Sequence, residues 1–330
     1  MELIGNKMRW LYKEYDIVPK VEGEGIGLIP DTQIPYKFPS CYRFSLSLIG
    51  SYAYILGNAN QSYPLFYRLD LQTLEIQEEC KREKLMKSIS PSFIQSTFVC
   101  DDHIYILSNI CPQNINCMSI YDRESNTFYP IKGDTQASTF RMNYTVNEYK
   151  GLAYLFGGLN DHCEPMNTIE AFDITTYRWK NIETNGEIPP PRHNHVSYRI
   201  KDDLYIFGGT NEISFNDPTP LVDMYKLNLS TLTWNQMVTF GNGPKGNALA
   251  MGAVRDDMLM VLWSDSGEVK TSLYMIDKHE WKEVAVKGEK AKRRHGAAGL
   301  ITKEKAVLFG GFSEIEYRDV AYCNVLQFTS

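Results

Sequence analysis

The sequence contains few of the features that mark exported, disulfide-bonded or membrane-spanning proteins. Its seven cysteines, in 330 residues, are an odd number spread from Cys41 to Cys323, which favours reduced thiols over a disulfide framework. The first residues, 1–7, lack the apolar core of a signal peptide, and the longest apolar runs are only strand-sized. We therefore expect a soluble chain without a membrane span, located in the cytoplasm, with the nucleus as the alternative.

The sequence has no excess of positive charge, and complete metal-binding motifs are missing from it. The formal net charge is −6 at pH 7, so no overall field attracts a phosphate backbone, and the composition argues against nucleic acid as a partner. His193-Asn194-His195 and the loop at 161–164 bring possible metal ligands together, but neither supplies a complete ligand set. We expect no metal and no cofactor, and we interpret these histidines as structural or surface residues.

Amphipathic helical periodicity is weak, whereas strands rich in Ile, Val, Tyr and Phe recur along the chain. They end at a two-residue position that repeats about every fifty residues. This position is Gly-Gly at 157–158, 208–209 and 310–311, and it is degenerate at 57–58, 108–109 and 263–264. An aromatic landmark is in phase with it, because Phe128, Trp179, Trp234 and Trp281 each precede the next such position by 29 residues.

Each period contains four strand signals with turn residues between them, which is typical of one propeller blade. We therefore predict an all-β, six-bladed propeller in a single domain, with blades at about 41–80, 90–131, 139–182, 191–237, 247–284 and 294–330. The last blade lacks its aromatic strand. We expect residues 7–13, with Trp10 in the aromatic slot, to supply this strand and close the ring, which makes residues 14–40 an insertion.

Glycine at the end of the second strand is expected to permit positive φ and a close approach by the neighbouring blade. Trp263-Ser264 replaces the glycine pair in the fifth blade, so this position predicts altered local geometry there. Gly-Gly after an apolar strand, with a Trp downstream, resembles the kelch-repeat β-propellers over essentially the whole chain. The closing strand and the Pro-rich linker at 188–192 are most similar to free-standing kelch proteins, among them a Rab9 effector with kelch motifs and kelch domain-containing substrate receptors.

The resemblance implies a non-catalytic protein-interaction module. Two settings stay open: an adaptor or ubiquitin-ligase substrate receptor, and a Rab-effector-like trafficking protein. No BTB, F-box or BC-box pattern is visible in the sequence to choose between them. The oligomeric state is not indicated by any pattern.

A ligand site is expected where the linkers between blades and the loops after the Gly-Gly positions share one face, at the channel mouth. Arg141, Arg192 and Arg294 each lie sixteen residues before the glycine position, and Asn247 occupies that place in the fifth blade. Tyr144, His193 and His295 follow closely. Guanidinium groups bind carboxylates bidentately, so we expect a protein ligand that is an acidic peptide or a free C-terminus, a use that the resemblance to substrate receptors also implies.

Two alternative interpretations of these residues remain open. Each Arg could instead pair with a nearby acid and hold the blades together. An enzyme is the second alternative, because some kelch-like propellers are sugar epimerases or copper oxidases and a mouth with Arg, His, Tyr and acids suits acid–base chemistry. Those enzymes are mostly exported, and this chain shows no export signal, so we expect no catalysis. Phe215 and Tyr317 are candidate aromatic anchors in the variable loops.

Overall fold

The protein is described here from a computed structural model. It describes residues 8–13, 45–59, 63–73, 75–80, 94–108, 118–131, 141–213, 219–265, 267–284, 286–288, 291–292, 297–313, 318–319 and 323–327. Nearly all regular structure in these residues is β-strand, with one 3-10 turn at Ile276–Lys278. No helix among them is long and apolar enough to cross a membrane.

Six antiparallel sheets follow one another along the chain. The first three each contain four strands, in the order β2 (Ser45–Ile49), β3 (Tyr52–Ala59), β4 (Tyr63–Asp70), β5 (Ile76–Glu78); β6 (Ile94–Cys100), β7 (His103–Ser108), β8 (Met118–Asp122), β9 (Thr127–Pro130); and β10 (Thr145–Tyr149), β11 (Leu152–Phe156), β12 (Ile169–Asp173), β13 (Arg178–Ile182).

The last three sheets have the same arrangement with one added outer strand. They contain β14 (Asn185–Gly186), β15 (Val196–Ile200), β16 (Asp203–Phe207), β17 (Met224–Asn228), β18 (Thr233–Met237); β19 (Phe240–Gly241), β20 (Asn247–Arg255), β21 (Met258–Asp265), β22 (Glu268–Met275), β23 (Glu280–Val284); and β24 (Val286–Gly288), β1 (Met8–Lys13), β25 (Ala298–Ile301), β26 (Lys305–Phe309), β29 (Cys323–Gln327), beside a hairpin of β27 (Phe312–Ser313) and β28 (Arg318–Asp319).

The first strand of each blade lies innermost, and these six strands form a closed ring. Each contacts the next around the axis, and β25 of the sixth blade contacts β2 of the first. This is a six-bladed β-propeller, as the repeat period predicts. A buried apolar cluster lies at each junction, including the one between the sixth blade and the first, where Val307 and Phe309 pack with Ala53 and Ile55.

Aromatic landmarks fill the wedges between blades. Trp234 of the fourth blade is buried against Phe156 of the third, with ring centroids 5.1 Å apart. Trp281 of the fifth blade packs in the same way against Phe207 of the fourth, at 5.2 Å. Because each large ring covers the second strand of the preceding blade, the hydrophobic core is divided among the junctions rather than gathered at one centre.

The glycine pairs are required by backbone conformation and by close approach. Gly157 and Gly158 have φ of 64° and 93°, and the other two intact pairs also have positive φ, which L-residues avoid. A Cβ on Gly157 would lie 2.7 Å from the carbonyl oxygen of Arg192 in the next linker. Gly158 N–H donates to that same oxygen at 2.8 Å. The expected approach of the neighbouring blade is confirmed at this position.

The degenerate positions let the second strand continue. β21 runs for 8 residues, through Trp263 and Ser264, whereas β11 has 5 residues and ends at its glycine pair. The β20–β21 pairing also contains two register shifts. The prediction of altered geometry in the fifth blade is therefore confirmed, and the physical reason is that residues without the glycine turn extend the ladder.

Linkers join consecutive blades by a repeated device that the sequence analysis did not identify. After the outer strands of the third and fourth blades the chain pairs in parallel with the outer strand of the next blade, so that Gly186 is opposite Trp234 and Gly241 is opposite Trp281. In the sixth blade the same register places Gly288 opposite Trp10 of β1. β1 also pairs antiparallel with β29 and thus lies where the closing strand was expected. Closure of the ring by this strand stays a prediction.

Candidate binding face

The linkers and the loops between the second and third strands lie on one side of the ring, which we call the linker face. The linker from the third blade to the fourth contacts both neighbouring loops, because Arg192 N–H donates to Met166 O at 3.0 Å and His193 N–H donates to Thr210 O at 2.9 Å. The linker from the fifth blade to the sixth makes a similar contact, because Val269 N–H at the start of β22 donates to Ala291 O of this linker at 2.8 Å. The expected gathering of linkers and loops on one face is confirmed.

Arg141 lies inside the wall of this face. Its side chain has no exposed surface, and its Nη2 is 3.3 Å from Oε2 of the buried Glu170. The guanidinium also donates to Gly157 O at 2.7 Å and to Thr168 Oγ1 at 3.0 Å. Burial lowers the pKa of Arg141, and the charge of Glu170 acts in the opposite direction. The residue ties the start of the third blade to the glycine turn and to the third strand.

Arg192 makes the equivalent tie in the fourth blade. Its Nη1 and Nη2 donate to the two carboxylate oxygens of Asp223 at 2.7 and 2.9 Å. Nη1 also donates to Gly208 O at 3.1 Å, and the guanidinium lies 5.2 Å from the ring centroid of Tyr225. A bidentate pair of this kind is among the strongest polar contacts in proteins.

These contacts favour the structural alternative for both arginines. Arg141 and Arg192 are each 0% exposed, so neither guanidinium offers a surface that a ligand could touch. The acids that pair with them are Glu170, inside the third strand of the third blade, and Asp223, directly before the third strand of the fourth blade. The ligand role given to these two residues therefore needs correction: they build the face and do not line it. Arg294 and His295 lie outside the described residues.

The other predicted site residues stabilise the same region. Tyr144 is buried between the second and third blades. His193 is buried, and its Nε2 is 3.0 Å from Glu212 O, which holds the β16–β17 loop. Asn247 is half-buried at the start of β20, opposite Ser264. Arg141 and Tyr144 thus lie at the start of the third blade, Arg192 and His193 in the linker to the fourth blade, and Asn247 at the start of the fifth blade.

His195 is a buried histidine at the same junction. Its Nε2 is 2.9 Å from Thr145 Oγ1 of the third blade, and its ring lies edge-on to Phe156. Burial, together with the positive charges of Arg192, His193 and Arg141, lowers the pKa of His195 from 6.5 to about 3. The side chain is therefore neutral at physiological pH and acts as a polar contact between blades.

This burial predicts acid sensitivity. Between pH 6.5 and 3 the unfolded chain binds a proton at His195 and the folded chain does not, so stability must fall as pH falls. We expect protonation of His195 in the unfolded chain to lower the free energy of unfolding by about 2 kcal/mol between pH 7 and pH 5. Urea unfolding at a series of pH values measures it. His195→Gln should lack this part of the pH dependence, and His162→Gln, at an exposed site, should keep it.

The loop at 161–164 is a tight turn. Asn160 Oδ1 accepts from His162 N–H at 3.0 Å and from Glu164 N–H at 2.8 Å. No group of three or more His, Cys, Asp or Glu residues in the described part of the chain is arranged to hold a metal ion. The expectation of a chain without metal or cofactor stays a prediction.

The exposed surface of the linker face is apolar and acidic, which the sequence analysis missed. Four of the six exposed large hydrophobic side chains among the described residues belong to the linkers, loops and strand ends of this face in the fourth blade: Ile188 45%, Ile213 56%, Val222 53% and Val238 70% exposed. Phe240, 62% exposed, lies at the rim of the fifth blade, where its N–H donates to His279 O at 2.8 Å in the turn before β23. The sixth, Tyr129, lies on the outer strand of the second blade. The available signal was β-branched residues just beyond strand ends; Phe215 and Tyr317, chosen as anchors instead, lie outside the described residues.

The chain belongs to the kelch-repeat family. The profile described as the KLHDC2/KLHL20/DRC7 Kelch-repeats domain matches residues 43–262 and 143–329. Kelch domain-containing protein 3 of Bos taurus is 34% identical over 91 residues, which are 27% of this chain and 22% of that protein. The Rab9 effector protein with kelch motifs of Mus musculus is 28% identical over 171 residues, which are 50% of this chain and 44% of that protein.

The chain therefore matches less than half of the length of either relative. Among solved structures, that of YjhT superposes with a TM-score of 0.63 and 14% sequence identity, covering 89% of this chain and 98% of YjhT. At this identity the likeness shows the propeller fold alone. The relatives carry names of kelch-domain and effector proteins, which is consistent with a protein-interaction module.

Proposed function

We propose that this chain is a non-catalytic protein-interaction module, working in the cytoplasm as an adaptor, whose partner binds on the linker face. The concentration of exposed large hydrophobic side chains on that face carries the proposal, because such patches on soluble folds mark interaction sites. The linker that bears Ile188 and the loop that bears Val222 are joined by the pair of the buried Arg192 with Asp223, so this part of the surface is held in place before a partner arrives.

The two biological settings remain alternatives within this proposal. A relative named as a Rab9 effector, matched over half of this chain, supports a trafficking role. The receptor role rests on the resemblance of the sequence to kelch domain-containing substrate receptors. The acidic ligand expected from the sequence depended on exposed guanidiniums, and two of the three are enclosed. We therefore keep a protein partner and do not carry the acidic character forward.

Cross-linking with a lysine-reactive reagent tests the face that is used. Affinity purification from cells with the full chain as bait should give partner cross-links at Lys245 and Lys292, which are exposed on the linker face. Lys150, Lys201 and Lys303, exposed in the turns on the opposite side, should give none. Cross-links only at those turn lysines would refute the assignment. Recovery of cullin components or of a Rab with the bait would choose between the two settings.

A further inference from the structure

Three exposed apolar residues flank the ends of neighbouring strands at the rim of the fourth blade. In its sheet β14, β18 and β17 are neighbours, with Gly186 opposite Trp234 and Met224 opposite Met237. Ile188 lies two residues after β14, Val238 lies one residue after β18, and Val222 lies two residues before β17. These strand ends point toward the linker face. Because adjacent strands are about 4.8 Å apart, the backbones at these three strand ends span roughly 10 Å of the rim.

Two further residues extend this strip in opposite directions. Ile213 lies in the β16–β17 loop, next to Glu212, whose carbonyl is fixed by His193. Phe240 lies in the following linker, opposite Glu280 at the start of β23, and its N–H donates to His279 O at 2.8 Å in the turn before that strand, so it marks the end of the strip farthest from the linker face. We call these five residues the blade-4 strip: Ile188, Ile213, Val222, Val238 and Phe240. All five are exposed large hydrophobic residues.

The charges beside the strip are negative on its inner and third-blade sides. Glu183 and Glu187 are exposed in the linker that carries Ile188, and Glu212 is half-buried beside Ile213. Among the described residues of 183–195 and 208–223, the one Lys or Arg is Arg192, which is enclosed and paired with Asp223. One carboxylate oxygen of Glu187 accepts from Gln236 N–H at 2.8 Å, which orients the group at the surface. The exposed Lys245 lies beyond Phe240, at the far end.

We propose that the blade-4 strip docks a basic, apolar peptide segment of a partner protein. Aliphatic or aromatic side chains of the segment cover Ile188, Val222 and Val238, and its Lys or Arg side chains lie next to Glu183, Glu187 and Glu212. The inference rests on the proposed function and adds to it the location and the charge of the partner, which is opposite in sign to the ligand that the three arginines suggested.

Selection of short random peptides displayed on phage, with the full folded chain as the target, tests this proposal. The enriched peptides should combine several apolar residues with a net positive charge. A synthetic peptide of the enriched sequence should bind Val222→Asp/Val238→Asp at least about tenfold more weakly than the wild type, since these residues form the centre of the strip. Glu187→Lys/Glu212→Lys should weaken binding by about three- to tenfold, and raised salt should reduce that difference.

Matched controls separate the strip from general surface effects. Tyr129→Asp changes an exposed apolar residue on the second blade, and Glu124→Lys changes an exposed acid in a turn on the opposite side; both should bind as the wild type does. Thermal unfolding of every variant checks that the fold is kept. Three results would each overturn the proposal. They are enriched peptides with net negative charge, equal binding of the enriched peptides to the wild type and to Val222→Asp/Val238→Asp, and a wild-type dimer that this variant converts to a monomer.

The outcomes also separate this inference from the proposed function. Peptides that bind the linker face but tolerate the strip variants would leave the interaction module standing and refute the strip. Partner cross-links confined to the opposite turns would refute the module itself.

Discussion

Replacing Arg192 with alanine should destabilise the fold by about 3 to 5 kcal/mol, because it leaves a carboxylate at Asp223 without its partner in a largely enclosed site. The substitution also removes the donors to Gly208 O and Pro190 O, so two backbone carbonyls of the linker face lose their hydrogen bonds. Urea unfolding followed by tryptophan fluorescence measures the change, since Trp234 is buried in the same blade. Arg141→Ala should have an effect of similar size.

An exposed arginine pair provides the matched control. Arg255 is bound to Asp257 at 2.9 Å with side chains 46% and 49% exposed, so Arg255→Ala should cost less than about 1 kcal/mol. If Arg192→Ala kept wild-type stability and lost only partner binding, the guanidinium would be a ligand contact and the interpretation from sequence would be restored.

The repeat itself could be predicted because its causes are local. The glycine pairs are needed for positive φ, as at Gly157 and Gly158, and a large ring such as Trp234 fills a wedge between blades. Both kinds of residue therefore recur at a fixed spacing that can be recognised in the sequence. The parallel linker strands were missed because their only sign is a glycine, at 186, 241 and 288, placed opposite a tryptophan that is distant in sequence.

The site was harder to predict because the sequence does not show which acid pairs with each arginine, and this pairing decides whether the arginine is buried. The register of Arg141 and Arg192 is evident in the sequence, but Glu170 and Asp223 follow them at different distances, 29 and 31 residues, since the loops after the glycine pairs differ in length. In the sequence, arginines that recur in register without acids that recur at a matching distance suggest that a ligand neutralises them. Only the fold shows that both arginines are enclosed.

Deletion of residues 1–13 should have the largest effect on the whole molecule. β1 fills the position between β24 and β29, so its loss exposes two strand edges at the junction that joins the last blade to its neighbours. We expect a loss of more than about 5 kcal/mol, enough to unfold a typical domain, or association through the open edges. Thermal unfolding and light scattering measure both results, and deletion of residues 1–7 alone is the control. A monomeric deletion variant that unfolds as the wild type does would contradict this expectation.

The closing strand is tested most directly by a single cysteine. Lys13 is opposite Cys323 in the β1–β29 ladder, so Lys13→Cys should form a disulfide with Cys323 within one chain on mild oxidation. Arg9→Cys, on the same side of β1 but opposite Gln327, is the control and should form none across this ladder. Peptide mapping of the oxidised, monomeric protein should recover the 13–323 link. Its absence, with residue 13 free or linked elsewhere, would contradict a ring that is closed by the first strand of the chain.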